Sequence, residues 1–252
     1  MKNRPIRIKS YQTAEELQRH KEFLSLFRRS PIPDEELLQN LGLFIRRQAL
    51  TRILFMHELY RKILDVHGII LEFGVRWGQN MALFESFRGI YEPFNHNRKI
   101  VGFDTFEGFP SVDKKDGKSD IISIGSLSVT PEYDAYLEQV LKYHELESPV
   151  SHIQKFRIIK GDATTEIRRF FRENPETVVA LAYFDFDIYE PTKACLEAIR
   201  DHLTKGTVVG FDQLNVHDYP GETKALMEVF GLDRFRIRRS RFSSVNSYLV
   251  VE

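Results

Sequence analysis

One cysteine, Cys195, stands in a chain of 252 residues. A lone thiol closes no intramolecular disulfide and builds no multi-thiolate zinc site, which excludes the disulfide-stapled secreted scaffolds. In its apolar surroundings it reads as a small buried hydrophobe. Net charge is also lacking. The 36 basic side chains are matched by 36 acidic ones, so no whole-chain field gathers nucleic acid or anionic lipid, and neither a nucleic acid nor a membrane is expected as a partner. No run of ~18 apolar residues is present to span a bilayer. Met1 to Arg19 is charged throughout, with no signal-peptide core, so a soluble, cytoplasmic protein is the expectation. His-Glu-x-x-His, Cys-x-x-Cys and Gly-x-Ser-x-Gly are absent, which leaves thiolate zinc sites and the lipase-type serine without support. Gly117-Lys118-Ser119 ends like a phosphate-binding loop, but Val112 stands where the earlier glycine is needed.

Repeats, low-complexity tracts and Gly/Ser linkers are missing too, so the chain reads as one domain with an N-terminal helical extension, divided into 1–67 and 68–252. From Thr13 to about His67 the pattern is helical and breaks at Ser30-Pro31-Ile32-Pro33. Leu50, Ile53, Leu54, Tyr60 and Leu64 form an apolar stripe there, with His57 on it. This block reads as a cap or as the contact of a homo-oligomer. From residue 68 short β-rich runs alternate with helical segments. The strands expected are 68–73, 99–104, 156–159, 178–185, 206–212, 235–239 and 244–251, and helices over 78–91, 165–172 and 191–203 separate several of the first five. The last two are joined like a hairpin. The fold class expected is α/β, a Rossmann-like, seven-stranded, mostly parallel sheet with a C-terminal antiparallel hairpin.

Ligands of open α/β sheets bind at the carboxyl ends of strands, so the residues where each strand stops are the informative ones. The first stop reads Glu72-Phe73-Gly74-Val75-Arg76-Trp77-Gly78-Gln79-Asn80. Its glycines permit a tight turn and close backbone approach, and the following helix offers free N–H donors. Arg76 occupies the position where a nicotinamide fingerprint needs its second glycine, which disfavours a dinucleotide. The second stop is Asp104-Thr105, where an acid accepts both hydroxyls of a ribose or caps an Asx turn. Asp162-Ala163 closes the third strand as an adenine contact, a helix N-cap, or both. Asp185 and Asp187 close the fourth and Asp212-Gln213 the fifth. Asp185, Asp212 and the Gln213 amide suit an oxygen-ligated Mg²⁺ or Ca²⁺, or the carboxylates cap the helices that follow. Arg234, Arg236 and Arg238 alternate with Phe235 and Ile237, as on the outer face of an edge strand that resists aggregation.

Taken together, Glu72-Phe73-Gly74-Val75-Arg76-Trp77-Gly78, Gly102-Phe103-Asp104-Thr105-Phe106-Glu107-Gly108-Phe109-Pro110, Asp185-Phe186-Asp187-Ile188-Tyr189-Glu190 and Asp212 with Pro220-Gly221 resemble the macrocin O-methyltransferase (TylF-like) family. Within it, Asn40-Leu41-Gly42-Leu43-Phe44 and Tyr91-Glu92-Pro93-Phe94-Asn95 look most like the calicheamicin-type sugar O-methyltransferases. The resemblance implies an S-adenosylmethionine-dependent enzyme that methylates a sugar hydroxyl of a natural product, nucleotide-sugar or polysaccharide precursor. It also implies that Glu72, Gly74, Arg76, Gly78 and Asn80 line the methionine end of the cofactor. Asp104 and Thr105 would hold the ribose, Asp162 and Ala163 the adenine, and Asp185 would adjoin the reacting end. Asp185 and Asp212 would complete a Mg²⁺ site with Gln213, which stands where metal-using members carry a second acid. The general base would be Asp185 or, without a metal, His217 in the loop after the fifth strand. The alternatives from other classes are a nicotinamide-linked oxidoreductase and a non-catalytic cofactor-binding or assembly protein. Finally, aromatics make up 12% of the chain, twenty of them phenylalanine, and Phe73, Phe103, Phe184, Phe186 and Phe211 precede or adjoin the acids. These are expected to pack the sheet and keep the cleft dry, leaving Phe106 and Tyr183 free to touch a flat ring.

Overall fold

The structure is a computed structural model that describes residues 13–252; residues 1–12, and with them most of the Met1–Arg19 stretch, lie outside the described residues. The first helix among the described residues is α1 (Ala14–Arg28), started by a capping box in which Thr13 and Glu16 bond each other's backbone N–H. Pro31 and Pro33 break the pattern as expected. A single turn, α2 (Asp34–Leu37), and a 3₁₀ turn (Leu41–Phe44) lead to α3 (Arg47–Lys62).

The rest alternates: β1 (Ile69–Phe73), α4 (Gln79–Tyr91), β2 (Ile100–Asp104), α5 (Tyr133–Leu146), β3 (Phe156–Lys160), α6 (Ala163–Glu173), β4 (Val179–Phe184), α7 (Tyr189–Ile199), β5 (Leu203–Phe211), α8 (Gly221–Val229), β6 (Arg238–Arg239) and β7 (Ser247–Val250). These strands make one seven-stranded sheet in the order β3-β2-β1-β4-β5-β7-β6. β1 to β5 pair in parallel, and β7 runs antiparallel to both β5 and β6. The chain winds outward from β1 to β3, then returns to the other side of β1 as β4. The switch point thus lies between β1 and β4, where such sheets open a crevice at their carboxyl edge. β6 is only two residues long. Arg234 and Arg236 therefore stand on exposed loop rather than on a strand face, although β6 is the edge expected.

Both faces of the sheet are covered. α6, α7 and α8 bury Ile167, Phe170, Leu196, Ile199 and Leu226 on one side, with Cys195 among them as a small hydrophobe. On the other side α3, α4 and α5 bury Phe55, Leu59, Met81, Phe84 and Leu141. The core-facing stripe of α3 is Phe55, Met56, Leu59 and Tyr60, continued by Ile63; of the expected stripe Tyr60 is buried and Leu64 packs against the core, Ile53 and Leu54 are half-buried, and Leu50 is exposed. Arg98, itself buried, fastens the end of this helix by donating to the carbonyls of Ile63, Val66 and Gly68. No helix among the described residues is long and apolar enough to cross a membrane.

Strand register decides the site. Phe103, Phe73, Phe184 and Phe211 are Cα partners across β2, β1, β4 and β5. Their rings form one row, with centroids 5.3, 4.7 and 5.4 Å apart. Each is the last or next-to-last residue of its strand, so the residues after them, Asp104, Gly74, Asp185 and Asp212, fall in a second row along the carboxyl edge. The aromatic row is dry floor, as expected. Phe106 and Tyr183 are not free: both are buried in the core.

Candidate active site

A cavity of about 410 Å³ opens over this edge. Five aspartates line it, Asp104, Asp162, Asp185, Asp187 and Asp212, against two arginines, Arg52 and Arg76. The excess of acid favours a cationic occupant. Gly74 turns the chain off β1 at φ +93°, and a Cβ there would lie 2.2 Å from the Asp185 carbonyl oxygen, so only glycine lets the two strand ends close up. Gly78, also left-handed at φ +76°, is the N-cap of α4. Glu72 is wholly buried behind this turn. Its Oε1 accepts from the Asn80 side-chain amide at 3.0 Å, while Glu72 Oε2 and Asn80 Oδ1 have no partner among the described residues. Burial pushes the Glu72 carboxyl up to about 8, against the Asn80 bond and with help from the Asp185 charge.

Asp104 accepts the N–H of Arg76 at 2.7 Å and that of Phe106 at 2.6 Å, one on each oxygen. It is therefore an Asx-turn residue, and each oxygen keeps further acceptor capacity toward the cavity. Burial raises it despite those bonds. Asp162 caps α6 through the N–H and hydroxyl of Thr164 and lines the cavity together with Ala163. Thr105 lines it too, its hydroxyl donating to the Gly108 carbonyl.

At the far end Asp185 and Asp212 face one another across a cation that the chain supplies. Arg52, from α3, donates through Nη1 to Asp185 Oδ2 at 2.8 Å and through Nη2 to Asp212 Oδ1 at 2.7 Å. Asp212 Oδ1 also accepts the Tyr183 hydroxyl at 2.8 Å and the Asn246 amide at 2.9 Å. Burial, reinforced by the Asp212 charge and opposed by Arg52, raises the Asp185 carboxyl to about 7. Burial works against the Arg52 charge, but the two carboxylates outweigh it and hold the guanidinium protonated. Asp187 leaves the extended conformation at φ +61° and accepts from the Gln213 side-chain nitrogen at 2.8 Å. Below them Glu222, wholly buried, gathers the N–H groups of Phe186, Asp187 and Gln213 and so ties the ends of β4 and β5 together. His217 stands exposed on the loop after β5 and does not line the cavity.

No protein-family model matches the chain, and no curated protein does. Solved structures do. The calicheamicin methyltransferase CalS11 is 44% identical, with a TM-score of 0.93 over 99% of this chain and 98% of its own. An apo structure of CalS11, a TDP-rhamnose 3'-O-methyltransferase of calicheamicin biosynthesis, is 43% identical with a TM-score of 0.84 over 96% of each chain. The chain belongs to the CalS11 family of S-adenosylmethionine-dependent O-methyltransferases. The O-methyltransferase NovP, 17% identical at a TM-score of 0.62 over 80% of this chain and 79% of its own, shares the fold. For this CalS11-type enzyme the oxidoreductase and assembly readings give way.

The cavity fits the family's methyl donor. Its volume is that of a small-molecule site, and unpartnered buried acceptors, a glycine turn and an acidic wall suit a ligand carrying an ammonium and a sulfonium. The donor set expected for Mg²⁺ does not fit. Both carboxylates are turned to the Arg52 guanidinium, a resident cation at the place a dication would take, and no cluster of three or more His, Cys, Asp or Glu side chains that could hold a metal occurs among the described residues. Gln213, the neutral third member, donates its nitrogen to Asp187 and leaves Oε1 without a partner among those residues. Arg52, Asn246 and Glu222 are the participants that sequence reasoning missed. For Arg52 a signal existed: it heads the series 52, 55, 56, 59, 63, the spacing of one helix face.

Proposed function

We propose that this chain methylates a hydroxyl of a sugar carried on a nucleotide or a larger glycoside, with Asp185 taking the proton of that hydroxyl. The observation that carries the reading is the row of acids along the carboxyl edge, in a chain 43% identical over 96% of its length to a TDP-rhamnose 3'-O-methyltransferase. When bound, S-adenosylmethionine supplies an electrophilic methyl group on a cationic sulfur. Glu72 and Asn80, with unpartnered oxygens beside Gly74 and Gly78, receive its ammonium group. Arg76 contributes its backbone at the same turn, Asp104 and Thr105 meet the ribose, and Asp162 and Ala163 meet the adenine. Asp185 is suited to the proton because its carboxyl, held near 7 by burial, is basic enough to accept one and still largely ionised just above neutrality. His217, outside the cavity wall, is not needed for that step.

The loop after β2 and the loop after β5 frame the acceptor side. Phe109 and Ile121 from the first and Tyr219 from the second line the cavity, and a Ser119 to Tyr219 hydrogen bond of 3.0 Å joins the loops. We also infer self-association through the N-terminal extension, whose Leu17, Leu24, Leu38 and Leu43 are all exposed.

The test is to incubate the protein with S-adenosylmethionine and a panel of TDP-deoxysugars and glycosides, and to read products by mass spectrometry and NMR. A sugar hydroxyl is expected to become a methyl ether, with kcat/KM rising with pH through about 7 and levelling above it. Asp185→Asn is expected to cost ~10²–10⁴-fold in rate. Calorimetry showing no binding of S-adenosylmethionine or S-adenosylhomocysteine would overturn the reading.

A further inference from the structure

The place between Asp185 and Asp212 is where a divalent ion would be expected, and a side chain from a distant element fills it. Arg52 is separated from its partners by 133 and 160 residues, yet its two terminal nitrogens each reach a different carboxylate, at 2.8 and 2.7 Å. That split geometry matches a guanidinium's planar fork and not an ammonium's point charge. The helix that presents it is firmly placed. Phe55, one turn along, packs its ring against Tyr183 and Tyr248 with centroids 6.3 and 6.4 Å away. Leu59 lies against Gly210, where any Cβ would come within 2.9 Å of it, and Arg98 clamps the helix end. The facing oxygens are also committed. Asp212 Oδ1 already carries three donors, from Arg52, Tyr183 and Asn246, and Asp185 Oδ2 takes the other Arg52 nitrogen; Gln213 donates its amide nitrogen to Asp187, while its Oε1 is buried without a partner among the described residues. A dication brought here would displace these bonds and meet the guanidinium charge at close range.

We propose that Arg52 is the resident cation of this active site, standing in the place of a metal and positioning the Asp185 carboxylate as proton acceptor, so that methyl transfer requires no divalent ion. The inference rests on the methyl-transfer reading above. In the step concerned the acceptor oxygen forms its bond to the methyl carbon as the carbon–sulfur bond breaks. The electron pair of that bond stays on sulfur, which becomes a neutral thioether, and the hydroxyl proton passes to Asp185. The balance calls for no further reactant. Arg52 keeps its own proton throughout and acts through its hydrogen bonds to the two carboxylates, which makes it a positioning residue.

Two measurements test it. First, Mn²⁺ titrated into the wild-type protein and followed by electron paramagnetic resonance is expected to find no site at Asp185 and Asp212, whereas Arg52→Ala, which frees both carboxylates, gains one. Second, turnover of the wild type is expected to be unchanged by chelator and by added Mg²⁺. Arg52→Ala should lower kcat ~10²-fold with KM for S-adenosylmethionine altered far less, and should move the acid limb of the pH profile to higher pH. Added guanidinium ion should restore part of its rate, and Arg52→Lys, unable to bridge both acids, should fall between. If Arg52→Ala does not fold, the wild-type metal titration, the chelator experiment and Arg52→Lys still decide. Tight wild-type Mn²⁺ binding that Asp185→Asn abolishes, or activity lost to chelator and restored by Mg²⁺, would overturn the proposal while leaving methyl transfer standing. A protein that binds no methyl donor would sink the functional reading instead, and the metal titration would stand apart from it.

Discussion

Glu72 combines two demands that oppose each other. It is wholly buried with one oxygen unpartnered, so in the free protein its carboxyl is pushed from an ordinary 4.5 up to about 8. A carboxyl raised in the folded state binds its proton more tightly there than in the unfolded chain, so its contribution to stability is complete below about 4.5 and declines as pH rises to about 8. Glu72→Gln keeps the acceptor for Asn80 and removes the titration. This variant is expected to melt with the wild type near pH 5 and ~2–8 °C above it at pH 8, for a gain of ~1–2 kcal/mol in a chain of this size. Calorimetry should show the opposite for binding, a methyl-donor affinity weakened ~10²-fold, because a cationic ammonium loses its ion partner. Wild-type binding near neutral pH should also release a proton, visible as a heat that depends on the buffer. A variant no more stable than wild type at pH 8 would contradict this account. At this scale the sequence was informative, since Glu72, Asp104, Asp162 and Asp185 are recognisable from where their strands stop. It also offered the Asx turn at Asp104 and the helix N-cap at Asp162, and both backbone roles are present; what it left open was the rotamer that sets which oxygen takes which N–H.

α3 shows how an element carries function that its own periodicity half conceals. Two apolar stripes compete on it, one through Leu50, Ile53 and Leu54 and one through Phe55, Met56, Leu59 and Ile63. Spacing alone ranks them equally, and the sheet chooses the second because Gly210 leaves room there for Leu59. Leu59→Ala is accordingly expected to destabilise by ~2–4 kcal/mol in urea unfolding. It should also slow turnover, by loosening the seat of Arg52. Leu50→Ala, on the exposed side, is expected to stay within ~0.5 kcal/mol. Equal losses at the two positions would mean that the core-facing stripe has been misplaced. The phenylalanine row behaves differently. Its members sit in matching positions near the ends of four strands, so alternation and strand ends already made them visible, and register merely stacked them.

For the molecule as a whole, α1 and the turns after it present apolar side chains that none of the described residues covers. No residue of α1 is buried; Phe23 and Phe27 meet Phe44, while Leu17 and Leu24 face outward at 45% and 47% exposure. An isolated helix of this length is marginal in water, so a covering partner is expected. Light scattering should give the mass of a dimer or larger assembly. Leu17→Asp combined with Leu24→Asp should return it to the 29.6 kDa of one chain with the circular dichroism otherwise kept. A monomeric wild type would refute self-association. Taken by itself, the sequence determined the alternation of strands and helices, the terminal hairpin and the glycines and acids at the ends of the parallel strands. Those properties are written locally, in hydrophobic period and turn chemistry. Only the tertiary structure decided which cation lies between Asp185 and Asp212. Arg52 and its partners are more than a hundred residues apart, and their meeting is fixed by the packing of α3 on the sheet, which no local pattern encodes.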